Sequence, residues 1–268
     1  MSPHDWIEVR SDLFVYGALW AVVFGAAIGS FLNVVAHRLP QRRSVVAPRS
    51  RCPRCRLPIR PWHNLPVVGW LLLRGRCRDC RGAISWRYPA VELATGLLFA
   101  ACWWRYGLSV SLPVAWLWTT LLVVLALVDL DARILPYELT VPAAALALLV
   151  PGLSWATPRS ALAGLCLGVG LALVASSAWR LVHGVDGLAD GDVAFLGALG
   201  VAFGWRGLLI VLAGACALGL GVAGWQWLVG GIRRRPRRAE ALPFGTFLGI
   251  AGLALLVLDP RIVSMGSL

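Results

Sequence analysis

No lysine occurs in the sequence: all 25 basic residues are arginine, a bias that base composition explains and that carries no functional conclusion. Charge of either sign is scarce, at 14% of 268 residues, whereas 59% are hydrophobic and the mean hydropathy is +0.74. Soluble domains are usually about 45–50% apolar. This scarcity argues against two soluble domains and for an all-α polytopic membrane protein. A conventional secretory signal is also missing. Residues 1–12 carry Asp5, Glu8 and Asp12 against one arginine, and no A-x-A site follows the first apolar run. That run reads as a retained span. No internal repeat is evident.

What is present is about eight apolar segments: 13–36, 89–106, 110–129, 140–156, 160–183, 191–204, 207–231 and 243–259. Several fall short of the roughly 20 residues that a straight transmembrane helix needs. Proline and glycine punctuate them (Pro142, Pro151, Gly152), as packed membrane helices tolerate. The organisation predicted is a first transmembrane helix in 1–36, a soluble loop in 37–88 and a membrane core in 89–268.

The net charge of +12 raises the question of a nucleic-acid partner, but its distribution points elsewhere. Thirteen arginines lie between Arg38 and Arg87, and five more in "RRRPRR" (Arg233 to Arg238). Arginine bunched beside apolar spans marks cytoplasmic loops, so no nucleic acid is expected. With 37–88 inside, the N-terminus lies outside, and the second arginine cluster falls on the same side as the first. So do two acidic clusters: Asp129 and Asp131 at the end of the third span, and Asp186, Asp190 and Asp192 before the sixth.

The loop contains "CPRC" (Cys52, Cys55) and "CRDC" (Cys77, Cys80), a C-x2-C-x21-C-x2-C pattern. Four thiolates at this spacing suit tetrahedral zinc. A reducing cytoplasm disfavours disulfides, and a metal supplies folding energy that a loop this small lacks. Four cysteines make a closed, structural site. A redox pair or an iron centre is the alternative. Cys102, Cys166 and Cys216 stand alone in apolar segments and read as small buried hydrophobes.

Carboxylates at membrane depth are costly and mark function by default. Residues two apart on a helix point about 200° apart, so only one of Asp129 and Asp131, and one of Asp190 and Asp192, can face a given partner. One acid from each cluster meeting across a helix interface would form a proton-sharing dyad able to hydrolyse an amide. Simple solvation at the interface and a proton or cation relay are the competing readings. Gly191 permits close backbone approach beside Asp192. Pro136 and Pro142 limit helix continuation past Asp129.

The ordered set "GSFLNVVAHRLP", the four-cysteine loop with "HNLPVVGWLLLRGRC", "RYPAVELATG", "DLDARILPYELTVP", "DGDVAFLGALG" and "LPFGTFL" resembles the type IV prepilin peptidases, GxGD-type membrane aspartic peptidases. The resemblance covers most of the chain. It implies catalytic aspartates at Asp129 and Asp192 supported by Gly191, and cleavage of leader peptides from prepilin or pseudopilin precursors. The active site would face the cytoplasm in a bacterial inner membrane. Many members also methylate the new N-terminus with S-adenosylmethionine. Asn33, Arg38, Asn64 and Glu92 sit in the matching segments, and Glu92 would hold either a substrate amine or a loop arginine. Three positions depart from the family pattern: Ala189 replaces the first glycine of GxGD, Ala194 a lysine, and Tyr137 an acid. A transporter using the membrane acids, and a non-enzymatic assembly factor docking through its zinc loop, are the other function classes. Which pilin-like protein is cut, whether methylation occurs and the oligomeric state are not legible.

Overall fold

The computed structural model describes residues 3–150, 152–185, 187–230 and 243–258. Their regular structure is helical apart from two isolated bridges. "RRRPRR" and Asp186 lie outside the described residues. The chain divides into two units, Met1–Val124 and Leu125–Leu268.

In the first unit α1 (Pro3–Arg38) lies along α3 (Arg87–Tyr106). Close approach is possible because Gly17, Gly25 and Gly29 of α1 meet Trp103, Phe99 and Glu92 of α3. Trp103 is buried, and its indole N–H donates to the Phe14 carbonyl at 3.0 Å. It is a packing residue, whereas its neighbour Trp104 is exposed. Phe99 stacks on Trp116 of α4 (Ser111–Ala132), with centroids 5.2 Å apart. Between α1 and α3 the arginine-rich loop holds only short turns and the five-residue α2 (Val68–Leu72).

The second unit takes the end of α4, then α5 (Tyr137–Leu149), α6 (Pro158–His183), α7 (Asp190–Gly230) and α8 (Phe244–Leu258). Helices α6 and α7 meet through small residues, Gly164 against the Gly200 carbonyl and Gly168 against that of Leu196. This is how membrane helices gain packing without a hydrophobic driving force. Phe195, Leu199, Phe203, Leu208 and Val211 of α7 and Leu248 and Leu256 of α8 form the core.

Four helices are long and apolar enough to cross a membrane: Asp12–Gln41, Ser111–Ala132, Pro158–His183 and Asp190–Val229. Two predicted boundaries differ. Pro142 sits inside α5 without ending it, and α5 stops at Leu149, short of the apolar run to 156. The remainder folds back as a loop starting at Gly152 (φ 89°). The 41-residue α7 breaks at Gly204, whose φ of 71° and ψ of 178° are open to glycine alone. The break frees carbonyls that water cannot reach. The 152–156 loop satisfies them: Ser154 Oγ donates to Val201 at 2.6 Å and the Trp155 amide to Ala202 at 2.9 Å.

Cys166 and Cys216 are exposed on their helices, contrary to the expectation that they are buried; only Cys102, against Thr119 Oγ1 at 3.5 Å, is fully enclosed. Each of the two lies on a side of its helix that no neighbour covers, where a small thiol suits lipid as well as protein.

Candidate active site and metal module

Asp129 lies in the last turn of α4, which the left-handed Arg133 (φ 53°) closes. The carboxyl is 6% exposed, whereas Asp131 points outward. A side chain from another helix meets it. The first-turn amide of Thr246, an orphan donor of α8, gives a 2.6 Å hydrogen bond to Asp129 Oδ2, and Thr246 Oγ1 gives a second at 3.0 Å. The same hydroxyl reaches the Ala126 carbonyl at 3.1 Å. Asp129 thus caps α8 from outside it, with the positive end of the helix dipole facing the carboxyl.

Asp192 occupies the third position of α7 and is half-buried; Asp190 is exposed. Its Oδ2 accepts from the Ala189 amide at 2.9 Å, the returning half of a capping box. Gly191 and Gly245 converge on one residue, the buried Leu135. The Gly191 α-carbon sits against the Leu135 carbonyl, and a Cβ on Gly245 would come within 2.8 Å of Leu135 Cδ1 and 3.0 Å of Asp129 Cγ. The starts of α7 and α8 are thereby gathered around the turn after α4. Of the acids singled out in sequence, Asp129 is buried and Asp192 half-buried, while Asp131, Asp190 and Glu138 are exposed. Ala194 is half-buried and uncharged, and Tyr137 is exposed. Thr246 and Leu135 were not singled out in sequence. The only signal was the hydroxyl in "LPFGTFL", which by itself reads as an ordinary helical threonine.

The sulfurs of Cys52, Cys55, Cys77 and Cys80 all lie within 4.8 Å of one another, and Cys52 and Cys80 are 3.8 Å apart. Four sulfurs at about 2.3 Å from a tetrahedral zinc stand about 3.8 Å apart, so the donor set fits the ion. The module is a duplication that was missed in sequence. "RCPRCRLPI" (51–59) and "RCRDCRGAI" (76–84) share RC-x2-CR-x2-I at an offset of 25. Both fold alike: Cys52 and Cys77 donate to Leu57 and Gly82, and accept from the left-handed Arg56 and Arg81. Backbone amides, that of Cys55 foremost, hold the Cys52 thiol down at about 6. Cys55 receives a lowering hydrogen bond from Leu57, but burial and the neighbouring thiols outweigh it and push it up to about 12.

Three of the four remaining candidate residues make hydrogen bonds within the protein. Asn33 Nδ2 donates to the Tyr88 carbonyl at 3.3 Å. Arg38 clamps the carbonyls of Ser44 and Pro48 at 3.0 and 2.8 Å. Asn64 is exposed at the end of a 3-10 turn. Buried Glu92 accepts a 2.7 Å bond from the Val67 amide, where a loop arginine was one of its expected partners. Asn33 thus ties α1 to α3, and Arg38 and Glu92 tie the loop to those two helices.

Fold and site together define a helical membrane protein with two acids, Asp129 and Asp192, beside the turn after α4 and a four-cysteine cluster able to hold a metal. Residues 23–106 match the bacterial peptidase A24 N-terminal domain and residues 116–224 the type IV leader peptidase family. Three relatives are each named prepilin leader peptidase/N-methyltransferase. That of Stutzerimonas stutzeri is 34% identical over 98% of this chain and 97% of its own. That of Pseudomonas aeruginosa is 35% identical over 94% and 93%, and that of Myxococcus xanthus 43% identical over 83% and 67%. The chain belongs to the type IV leader peptidase family. No solved structure matches it.

Proposed function

We propose that the chain is a membrane aspartic endopeptidase that removes the leader from type IV prepilin-like or pseudopilin precursors, with Asp129 and Asp192 as its catalytic pair. The observation that carries this is the convergence of α4, α7 and α8 on Leu135, which turns one acid of each cluster inward and the other out. In the reaction, one ionised carboxylate takes a proton from water, whose oxygen attacks the scissile carbonyl carbon. The other, protonated, carboxyl gives its proton to the leaving nitrogen as the C–N bond breaks. Gly191 lets the backbone of α7 approach closely enough to place Asp192.

The domain organisation follows from this: a first span in 1–36, a metal loop in 37–88 and a peptidase core in 89–268. The break at Gly204 supports counting α7 as two helices, which gives eight apolar helices. Helix α5, with 13 residues, reaches about 20 Å and so enters a ~30 Å core without crossing it. The clustered loop arginines support a cytoplasmic site in a bacterial inner membrane. Zinc held by Cys52, Cys55, Cys77 and Cys80 would be structural, supplying folding energy to the loop. Methylation with S-adenosylmethionine is supported by the relatives' name.

The test is cleavage of a prepilin precursor by membranes carrying Asp129→Asn, Asp192→Asn or Asp131→Asn. The first two variants should insert normally and cut nothing, while the third should retain substantial activity. Wild-type cleavage by both of the first two would remove the assignment. Product masses read with and without S-adenosylmethionine decide the methylation question.

A further inference from the structure

The cysteine loop carries a second feature beside its cysteine cluster. Four arginines, Arg74, Arg76, Arg78 and Arg81, line one cavity of about 770 Å³ with His63, Leu72 and the cluster's own Cys77. No carboxylate among the described residues pairs with any of the four. The backbone forces them together. Helix α2 ends in two consecutive left-handed residues, Arg74 (φ 49°) and Gly75 (φ 67°), so the chain reverses at once. Gly75 sits flat on the Trp70 ring, where a Cβ would come within 2.8 Å, and Trp70 is itself fixed by a 3.1 Å bond from its indole to the Ile84 carbonyl. The knuckle from Cys77 to Gly82 then holds Arg78 and Arg81 on the same rim. Four guanidinium groups on one rim make the cavity cationic and favour an anion there.

Guanidinium groups match phosphate oxygens in a two-pronged geometry. The surroundings indicate where that phosphate comes from. Leu71 and Leu72 on α2 are 59% and 70% exposed. An apolar face next to a cationic cavity, in a chain that spans a membrane, suits a molecule with tails and an anionic head. We infer that the cavity lined by Arg74, Arg76, Arg78 and Arg81 binds the phosphate of an anionic phospholipid headgroup, with Leu71 and Leu72 against its acyl chains. This tethers the metal loop to the membrane surface, and it does not depend on the peptidase reading.

Native mass spectrometry of the full-length chain in detergent tests it, with phosphatidylglycerol, phosphatidylcholine or inorganic phosphate added. Phosphatidylglycerol should be retained in preference to phosphatidylcholine, and an Arg74→Gln/Arg78→Gln double variant should hold it about thirtyfold less tightly. An Arg42→Gln/Arg43→Gln double variant makes the same charge change away from the cavity and should bind like the wild type. Unchanged metal content in each variant shows that the loop is still folded. Equal losses in both double variants, or undiminished retention in the first, would overturn the site. Inorganic phosphate held as tightly as the lipid would overturn its assignment to a lipid.

Discussion

Thr246 gives two hydrogen bonds, one from its backbone amide and one from its hydroxyl, to the same oxygen of Asp129. A carboxyl held this way by a helix start has a fixed position before substrate arrives, which is the arrangement that favours catalysis. Thr246→Val keeps the amide and loses the hydroxyl; a hydrogen bond to a charged group of this kind is typically worth about tenfold in rate. We expect that loss in kcat with little change in KM. Thr246→Pro removes the amide as well, at a first-turn position that helices tolerate, and should lose more.

Gly191→Ala is expected to abolish leader cleavage. The added methyl would strike the backbone carbonyl of Leu135, which cannot swing aside as a side chain would. A thermal melt should show the second unit destabilised. Normal cleavage kinetics in this variant would mean that the approach of α7 to Leu135 is not needed to place Asp192.

Zinc loading should release protons and weaken on acidification. In the metal-free loop Cys52, near 6, is already ionised at neutral pH, whereas Cys55, near 12, keeps its proton until metal displaces it. Affinity should therefore fall as pH drops, most steeply below 6 where Cys52 also protonates. A chelator titration from pH 5.5 to 8 measures this. Cys52→Ser or Cys77→Ser should expose residues 37–88 to proteolysis.

Glu92→Ala is expected to loosen the turn at Val67. Val67 sits at φ 60° and ψ −53°, a strained γ-turn for a β-branched residue, and its amide is held by Glu92. Amide exchange across residues 61–75 should accelerate in the alanine variant. It should stay near wild type in Glu92→Gln, which keeps an acceptor.

The acids and the cysteines stood out in sequence because such residues are conspicuous in a chain this apolar. Helical geometry showed that only one of Asp129 and Asp131 can face inward, but which one depends on where α8 starts, and no local pattern states that. Thr246 was invisible for the same reason: its importance comes from the residue 117 positions away that it meets. The early end of α5 was missed because the apolar run to 156 looks continuous. Its last residues leave the helix to satisfy carbonyls freed at Gly204, a demand that arises only in the packed unit. The 25-residue duplication was readable and was missed because its unit is only nine residues long.

That duplication imposes an order on biosynthesis. The first knuckle leaves the ribosome with two thiolates, too few to close a tetrahedral shell, and must wait for the second. Until residues 76–84 emerge, any ion it holds remains open to exchange with cytoplasmic thiols. A four-sulfur shell is therefore complete only once Cys80 has been made, just before α3 begins at Arg87.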